Sequence, residues 1–353
     1  MLRVPLPWVL LTMLSCTGAS HDTKPVDFPI RGAWLHGREH FGLDSAHGDA
    51  ALARMRALGV THVAIGQEVS MPVLAEPKLV FGHDDAELRS VLRRVRAAGL
   101  KAFLLPRIES PDFFKPPYPF RADIRFGTAA AWEQFHAEIE RMGLHYGSLA
   151  QGEGVAIFGL SLELKQSAKG FPERWRAIAR KVRTVFHGQI AYSANWYDEW
   201  EQITFWDAVD FVAVGAYFEI PEKDRMTDRA PPPCRDRAGL VRAWQPIVAR
   251  LAAAAAAANK PILFTEIGYT GYADCAERPW EWAGKQAKGT AIDHARQADA
   301  LAAALQAFGN RRDVAGMFVW SFFTDTQYVK DWEYALEGRP AQAVLRQAYS
   351  RRP

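Results

Sequence analysis

Eight short apolar runs rich in Val, Ile and Phe alternate along the chain with segments of helical period, and this alternation constrains the fold more than any other feature. The runs are Ile30–Leu35, Val60–Ile65, Lys101–Pro106, Val155–Glu163, Gln189–Asn195, Phe211–Tyr217, Pro261–Ile267 and Val314–Phe322. Helical pattern follows each of them, at Asp49–Leu58, Asp84–Ala98, Ala129–Tyr146, Pro172–Phe186, a short Trp-rich segment after the fifth run, Leu240–Ala258, Thr290–Phe308 and Ala341–Ser350. Asp84 and Asp85 suit the start of the second helix and Gly99 its end. Near-continuous apolar strands separated by helices imply a parallel sheet covered by helices, and eight such units are what a closed (β/α)8 barrel requires. A doubly wound open sheet is the alternative, but that fold usually carries a Gly-rich phosphate loop after its first strand. Here the first strand runs into Trp34-Leu35-His36-Gly37 instead. The expected architecture is therefore α/β, a single (β/α)8 TIM barrel over residues 28–350. A length of 353 residues accommodates one barrel with insertions as readily as two smaller domains.

The first 20 residues read as a targeting segment. After Arg3 comes an apolar stretch of about a dozen residues, too short to span a bilayer and suited to a secretory signal. It ends at Met13-Leu14-Ser15-Cys16, close to a lipoprotein processing site that would leave Cys16 as a lipidated N-terminus; cleavage after Gly18-Ala19-Ser20 is the rival. Export to a bacterial cell envelope, periplasm or exterior is expected, with any membrane attachment made only through Cys16. Export leaves Cys234 and Cys275 as a pair, either disulfide-bonded or two separate thiols.

Composition removes several classes of function. The 43 basic and 40 acidic side chains are interspersed, so there is no charged tail and no basic stripe for nucleic acid. No HExxH, internal repeat or metal-spaced Cys/His cluster occurs. His36, Glu39 and His40 lie close together after the first strand, but their spacing matches no usual metal motif. No cofactor and no metal are expected, and a monomer is.

In a barrel the chemistry lies at the C-terminal ends of the strands. Those ends present His36, Arg107, Glu109, Glu163, Asn195, Trp196, Tyr217, Glu266 and Trp320. Glu163 closes the fourth strand and Glu266 the seventh, across the barrel mouth from one another. Two carboxyl groups facing at ~5 Å can split an acetal in two steps, one protonating the leaving oxygen while the other attacks the anomeric carbon. An isolated strand-end glutamate more often serves an ion pair; two of them beside a ring of aromatics favour catalysis. Of the 12 tryptophans, Trp34, Trp196, Trp200, Trp280, Trp282 and Trp320 fall at strand ends or in the loops after them. Such rings can stack on the apolar faces of sugars. Trp132, Trp175, Trp206 and Trp244 lie in or beside helices and read as core.

These residues carry a family resemblance. Gly159-Leu160-Ser161-Leu162-Glu163-Leu164, Ala191-Tyr192-Ser193-Ala194-Asn195-Trp196, and the stretch from Phe205 to Phe218 resemble glycoside hydrolase family 113. So do Lys260-Pro261-Ile262-Leu263-Phe264-Thr265-Glu266-Ile267-Gly268-Tyr269 and Pro279-Trp280-Glu281-Trp282, which are the most specific part. The resemblance spans roughly residues 28–350. It implies a retaining (β/α)8 hydrolase related to endo-β-1,4-mannanases, with Glu163 as acid/base and Glu266 as nucleophile. Tyr217 would hydrogen-bond the nucleophile and Trp320 would floor the reacting sugar. Trp34, Asn195, Trp196, Tyr217, Trp280, Trp282 and Trp320 are the expected substrate-binding residues, on an oligo- or polysaccharide.

Two departures from the family pattern stand out. Leu162 occupies a position where many relatives carry Thr or Asn, and Pro106-Arg107 stands where Pro-His is expected. Arg107 suits an acidic or substituted sugar, or simply pairs with Glu109. These departures motivate an alternative, a sugar-binding envelope protein whose barrel has lost catalysis. An aldolase-like enzyme would need a strand-end lysine or a metal, and only Lys165, just beyond Glu163, comes near.

Overall fold

A computed structural model of the chain describes residues 23–37, 42–222, 234, 236–281, 289–327 and 329–350. Within it the apolar runs form eight strands: β1 (Ile30–His36), β2 (His62–Ser70), β3 (Lys101–Glu109), β4 (Ile157–Leu162), β5 (Gln189–Asn195), β6 (Val212–Gly215), β7 (Ile262–Ile267) and β8 (Val314–Phe323). Each pairs in parallel with the next, and β8 returns to β1, so the sheet is a closed barrel.

Closure gives every strand two buried faces, which is why the runs read as continuously apolar rather than alternating. Ile30, Trp34, Phe103, Leu162, Leu263 and Phe318 point inward and fill the barrel interior. A second, larger core lies between the strands and the surrounding helices, as the fold requires.

The helices are α1 (Ala46–Ala57), α2 (Asp85–Ala97), α3 (Ala129–Glu153), α4 (Lys165–Gly170), α5 (Pro172–Val182), α6 (Arg237–Ala258), α7 (His294–Phe308) and α8 (Pro340–Tyr349). Trp175 and Trp244 are fully buried against strands, and Trp206 is buried too, as their helical positions implied. Among the described residues no helix is long and apolar enough to cross a membrane.

Three local details differ from expectation. No α-helix joins β5 to β6; two 3-10 turns, Trp200–Gln202 and Trp206–Ala208, fold Trp200, Phe205 and Trp206 inward over that short connection. The missing cover is balanced by two helices, α4 and α5, between β4 and β5. Asp84 precedes α2 without capping it; its carboxylate instead accepts from Gln67 Nε2 at 2.8 Å. Gly99 does close that helix, with φ +72°.

Cys234 and Cys275 are separate thiols, so no bridge joins the loops after β6 and β7. The segment expected to act as a signal, with Cys16, and Glu39, His40 and Trp282 lie outside the described residues.

Candidate active site

The mouth of the barrel is assembled mainly from strand ends. Glu163 follows directly on β4, in the left-handed region at φ +53°, and its N–H donates to Ser193 O at 2.8 Å. Non-glycine residues adopt that conformation at a cost, so the surrounding structure must fix it. Leu164 N–H donates to the Tyr192 hydroxyl at 2.9 Å, and that hydroxyl donates to Glu199 Oε1 at 2.6 Å. Glu199 Oε2 accepts from the Asn195 N–H at 2.7 Å. One buried carboxyl thus braces the backbone on both sides of the Glu163 side chain.

The Glu163 carboxylate accepts from Asn195 Nδ2 at 2.9 Å and from Arg121 Nη1 at 3.2 Å. Arg121 is itself buried. Its Nη2 donates to Glu109 Oε1 at 2.6 Å and its Nε to Ile108 O at 3.3 Å. Burial pushes the Glu163 carboxyl above the ordinary range, and Arg121 draws it part of the way back.

Glu266 lies within β7, its Cα in register with Gly215 of β6. Gly215 also lies beside Glu163: a Cβ there would stand 3.9 Å from Glu163 Oε1. Tyr217 donates its hydroxyl to Glu266 Oε2 at 3.0 Å, and Trp196 packs edge-on against the Tyr217 ring, centroids 5.4 Å apart. Burial and the neighbouring Glu163 push Glu266 up to about 7. The two carboxyls have unequal surroundings, a cation and an amide at one and a single hydroxyl at the other. Unequal environments are how one pair of like groups divides acid and base work.

Trp320 is partly exposed, its ring centroid 4.3 Å from that of His36 and 5.1 Å from that of Trp34. Trp34 itself departs from expectation. It is wholly buried, donates its indole N–H to Thr265 O at 2.7 Å, and supports Trp320 from below. Side chains two apart on a strand share a face, so the inward residue that reaches the mouth is His36, one layer above Trp34. Trp200 is buried as well, under Phe218. Trp280 is exposed on the β7–α7 loop, and the Tyr334 hydroxyl donates to the adjacent Pro279 O at 2.5 Å.

Arg107 is near Glu109, and its charge also acts on both Glu163 and Glu266. Its Nη2 lies 3.4 Å from Glu109 Oε1, the same oxygen that Arg121 engages more closely. Leu162 is buried in the barrel interior and offers nothing polar to the mouth.

Arg121, Tyr192, Glu199 and Tyr334 are the site residues that sequence reasoning missed. Arg121 and Tyr334 come from long loops whose path back to the mouth no periodicity announces. Glu199 lies four residues past a strand end, and only its surroundings distinguish it from a surface carboxylate.

A search of curated proteins returns no match. Among solved structures, the chain is similar to the family 113 β-mannanase AaManA from Alicyclobacillus acidocaldarius in complex with ManMIm. That likeness has 22% identity, a TM-score of 0.76, and coverage of 94% of this chain and 99% of that one. It is also similar to a complex of a family 113 β-1,4-mannanase, at 20% identity and TM-score 0.75 over 91% of this chain and 98% of that one. A more distant likeness is to a β-glucuronidase from Ruminococcus gnavus, at 13% identity and TM-score 0.57, covering 91% of this chain and 50% of that one. The sequence profile of Glycoside Hydrolase Family 113 matches residues 33–338, nearly the whole barrel, and the chain therefore belongs to that family of glycoside hydrolases.

Proposed function

We propose that this glycoside hydrolase works by retention, on a β-1,4-linked mannan-like chain, with Glu163 as acid/base and Glu266 as nucleophile. The observation that carries the reading is the buried pair of glutamates at the ends of β4 and β7, each held by different donors. In the first step a Glu266 oxygen attacks the anomeric carbon while Glu163 gives its proton to the glycosidic oxygen, and that C–O bond breaks. In the second, the Glu163 carboxylate takes a proton from water, whose oxygen displaces Glu266 and restores the β configuration. Tyr217 holds Glu266 for attack, and Trp320 carries the reacting sugar. The mannan preference is supported by the two solved family members, both named as β-mannanases.

The test is incubation of the chain from residue 23 with β-mannan, β-glucan and β-xylan oligosaccharides, the first-formed anomer being followed by NMR. A β product from the mannan series, absent with Glu266→Gln, is expected; an α product would overturn retention. Tight glycan binding by calorimetry with no turnover over days would favour the non-catalytic reading, which Leu162 and Arg107 motivate. Export by the N-terminal segment, with or without a lipid at Cys16, belongs to the same proposal, and the mass of the mature N-terminus in a bacterial host decides between the two routes.

A further inference from the structure

The five aromatic side chains exposed among the described residues, Phe114, Tyr118, Phe120, Tyr197 and Trp280, all belong to loops that leave the C-terminal ends of strands. Single exposed rings are ordinary, but their collection on the catalytic face points to that face as a binding surface. Two of the five have a specific relation to Glu163. The side chains that hold its carboxylate are Arg121 and Asn195. Arg121 lies under the ring of Phe120, 4.5 Å from its centroid, and Phe120 is 40% exposed. Asn195 Oδ1 accepts from the backbone N–H of Tyr197 at 2.7 Å, and Tyr197 is 70% exposed. Lys165, two residues beyond Glu163, places its ammonium 5.9 Å from the Tyr197 ring. One partner of Glu163 is therefore stacked on a solvent-facing ring on the β3 side, and the other holds the backbone of a residue with an exposed ring on the β5 side.

We infer that Phe120 and Tyr197 form the sugar-binding platform on the leaving-group side of the scissile bond, bracketing Glu163 and taking the β-linked sugars that depart with its proton. This rests on the proposed role of Glu163, since a proton donor must face the departing oxygen and the sugars beyond that oxygen lie on the donor's side. An aromatic face under each of those sugars covers their C–H surface while the hydroxyls remain in water. Arg121 and Asn195 join the two rings to the Glu163 carboxylate. Platforms on this side take a chain that extends past the cleavage point, beyond the sugar that reacts.

The test compares β-1,4-mannooligosaccharides of four to six sugars with an aryl β-mannoside, whose leaving group is not a sugar. Phe120→Ala and Tyr197→Ala should each lower kcat/KM on the oligosaccharides about tenfold more than on the aryl glycoside, the worth of one stacked ring. Phe120→Trp and Tyr197→Phe should restore the ratio, which a merely structural role would not do. Equal fractional losses on both substrates, or none, would overturn the inference. Calorimetric titration of the Glu266→Gln chain with mannohexaose separates this from the hydrolase reading. Should the wild type hydrolyse neither substrate, the hydrolase reading fails, yet an affinity about tenfold weaker on adding Phe120→Ala still supports the platform. An unchanged affinity, or no binding at all, removes the platform.

Discussion

At the scale of single residues, the environment of Glu163 decides what the site can do. Around it stand Arg121 from the β3–α3 loop, Arg107 and Glu109 from β3, and Tyr192, Asn195 and Glu199 on or just beyond β5. Tyr217 and Glu266 complete the ring, with Lys165 beyond it. Burial favours the neutral acid, and the Arg121 guanidinium favours the anion. Removing that cation therefore raises the pKa of Glu163. In a kcat/KM profile the alkaline limb reports the free enzyme's essential acid. With Arg121→Met this limb should move to higher pH, because the arginine beside the carboxylate favours the anion. The acid limb, which reports Glu266, should move less, because Arg121 is the weakest of the influences named for that group. An alkaline limb that stays put would detach Arg121 from the proton of Glu163. The roles of the two glutamates separate on an activated aryl glycoside, whose leaving group departs without a proton. Glu163→Gln should keep a burst of aryl release there while losing about a hundredfold or more on oligosaccharides. Glu266→Gln should lose both, with no burst. Stopped-flow release of the aryl group distinguishes these outcomes.

At the scale of elements, the seam that closes the barrel is the least forgiving. Gly316 of β8 lies against Ile30 of β1 so closely that a Cβ would stand 2.0 Å from Ile30 O. Gly32 on the facing strand is covered by the Phe318 ring, 2.4 Å from where its Cβ would be. Backbone cannot rotate out of the way as a side chain can. Gly316→Ala should therefore destabilise by about 1–3 kcal/mol, the usual cost of overpacking, and more than a Gly→Ala change at the open Gly127 or Gly170. Chemical denaturation of the three variants checks the order. This seam also shows what the sequence could carry. The eight strands were legible because a sheet buried on both faces leaves uninterrupted apolar runs, and Glu163, Asn195, Tyr217 and Glu266 followed from knowing which strand end faces the mouth. Trp34 was misplaced because strand length fixes the layer a side chain occupies, and a shift of two residues along β1 separates a buried support from the mouth. Arg121 was invisible for a different reason. It reaches Glu163 through a loop of irregular backbone, and only the folded chain brings together partners 12 and 42 residues apart.

At the scale of the whole molecule, the buried carboxyls of the site act against stability. Glu163 is raised, Glu266 is pushed up to about 7 and Glu199 to about 8, in each case chiefly by burial. A carboxyl whose folded pKa exceeds its unfolded one binds more protons in the native state, so its contribution is full below the unfolded pKa near 4.5 and is lost as pH rises through the folded value. His62 and His136 act in the opposite direction. Burial lowers both to about 4, so the folded chain keeps them neutral, and stability falls as pH drops from about 6.5 toward 4. The two trends overlap between about 4.5 and 6.5, and above that only the carboxyls continue to titrate. Thermal stability should therefore decline between pH 6.5 and 8, and the loss should be smaller once a site carboxyl is made permanently neutral. Glu266→Gln keeps an acceptor for the Tyr217 hydroxyl and removes the buried charge. Its Tm relative to wild type should consequently rise by several degrees more at pH 8 than at pH 5, since about 1 kcal/mol moves a domain of this size by a few degrees. Calorimetric melts of both proteins at the two pH values measure that difference directly. A constant offset would mean that Glu266 is ionised without penalty in the empty site, and that the stability given up there does not come from its charge.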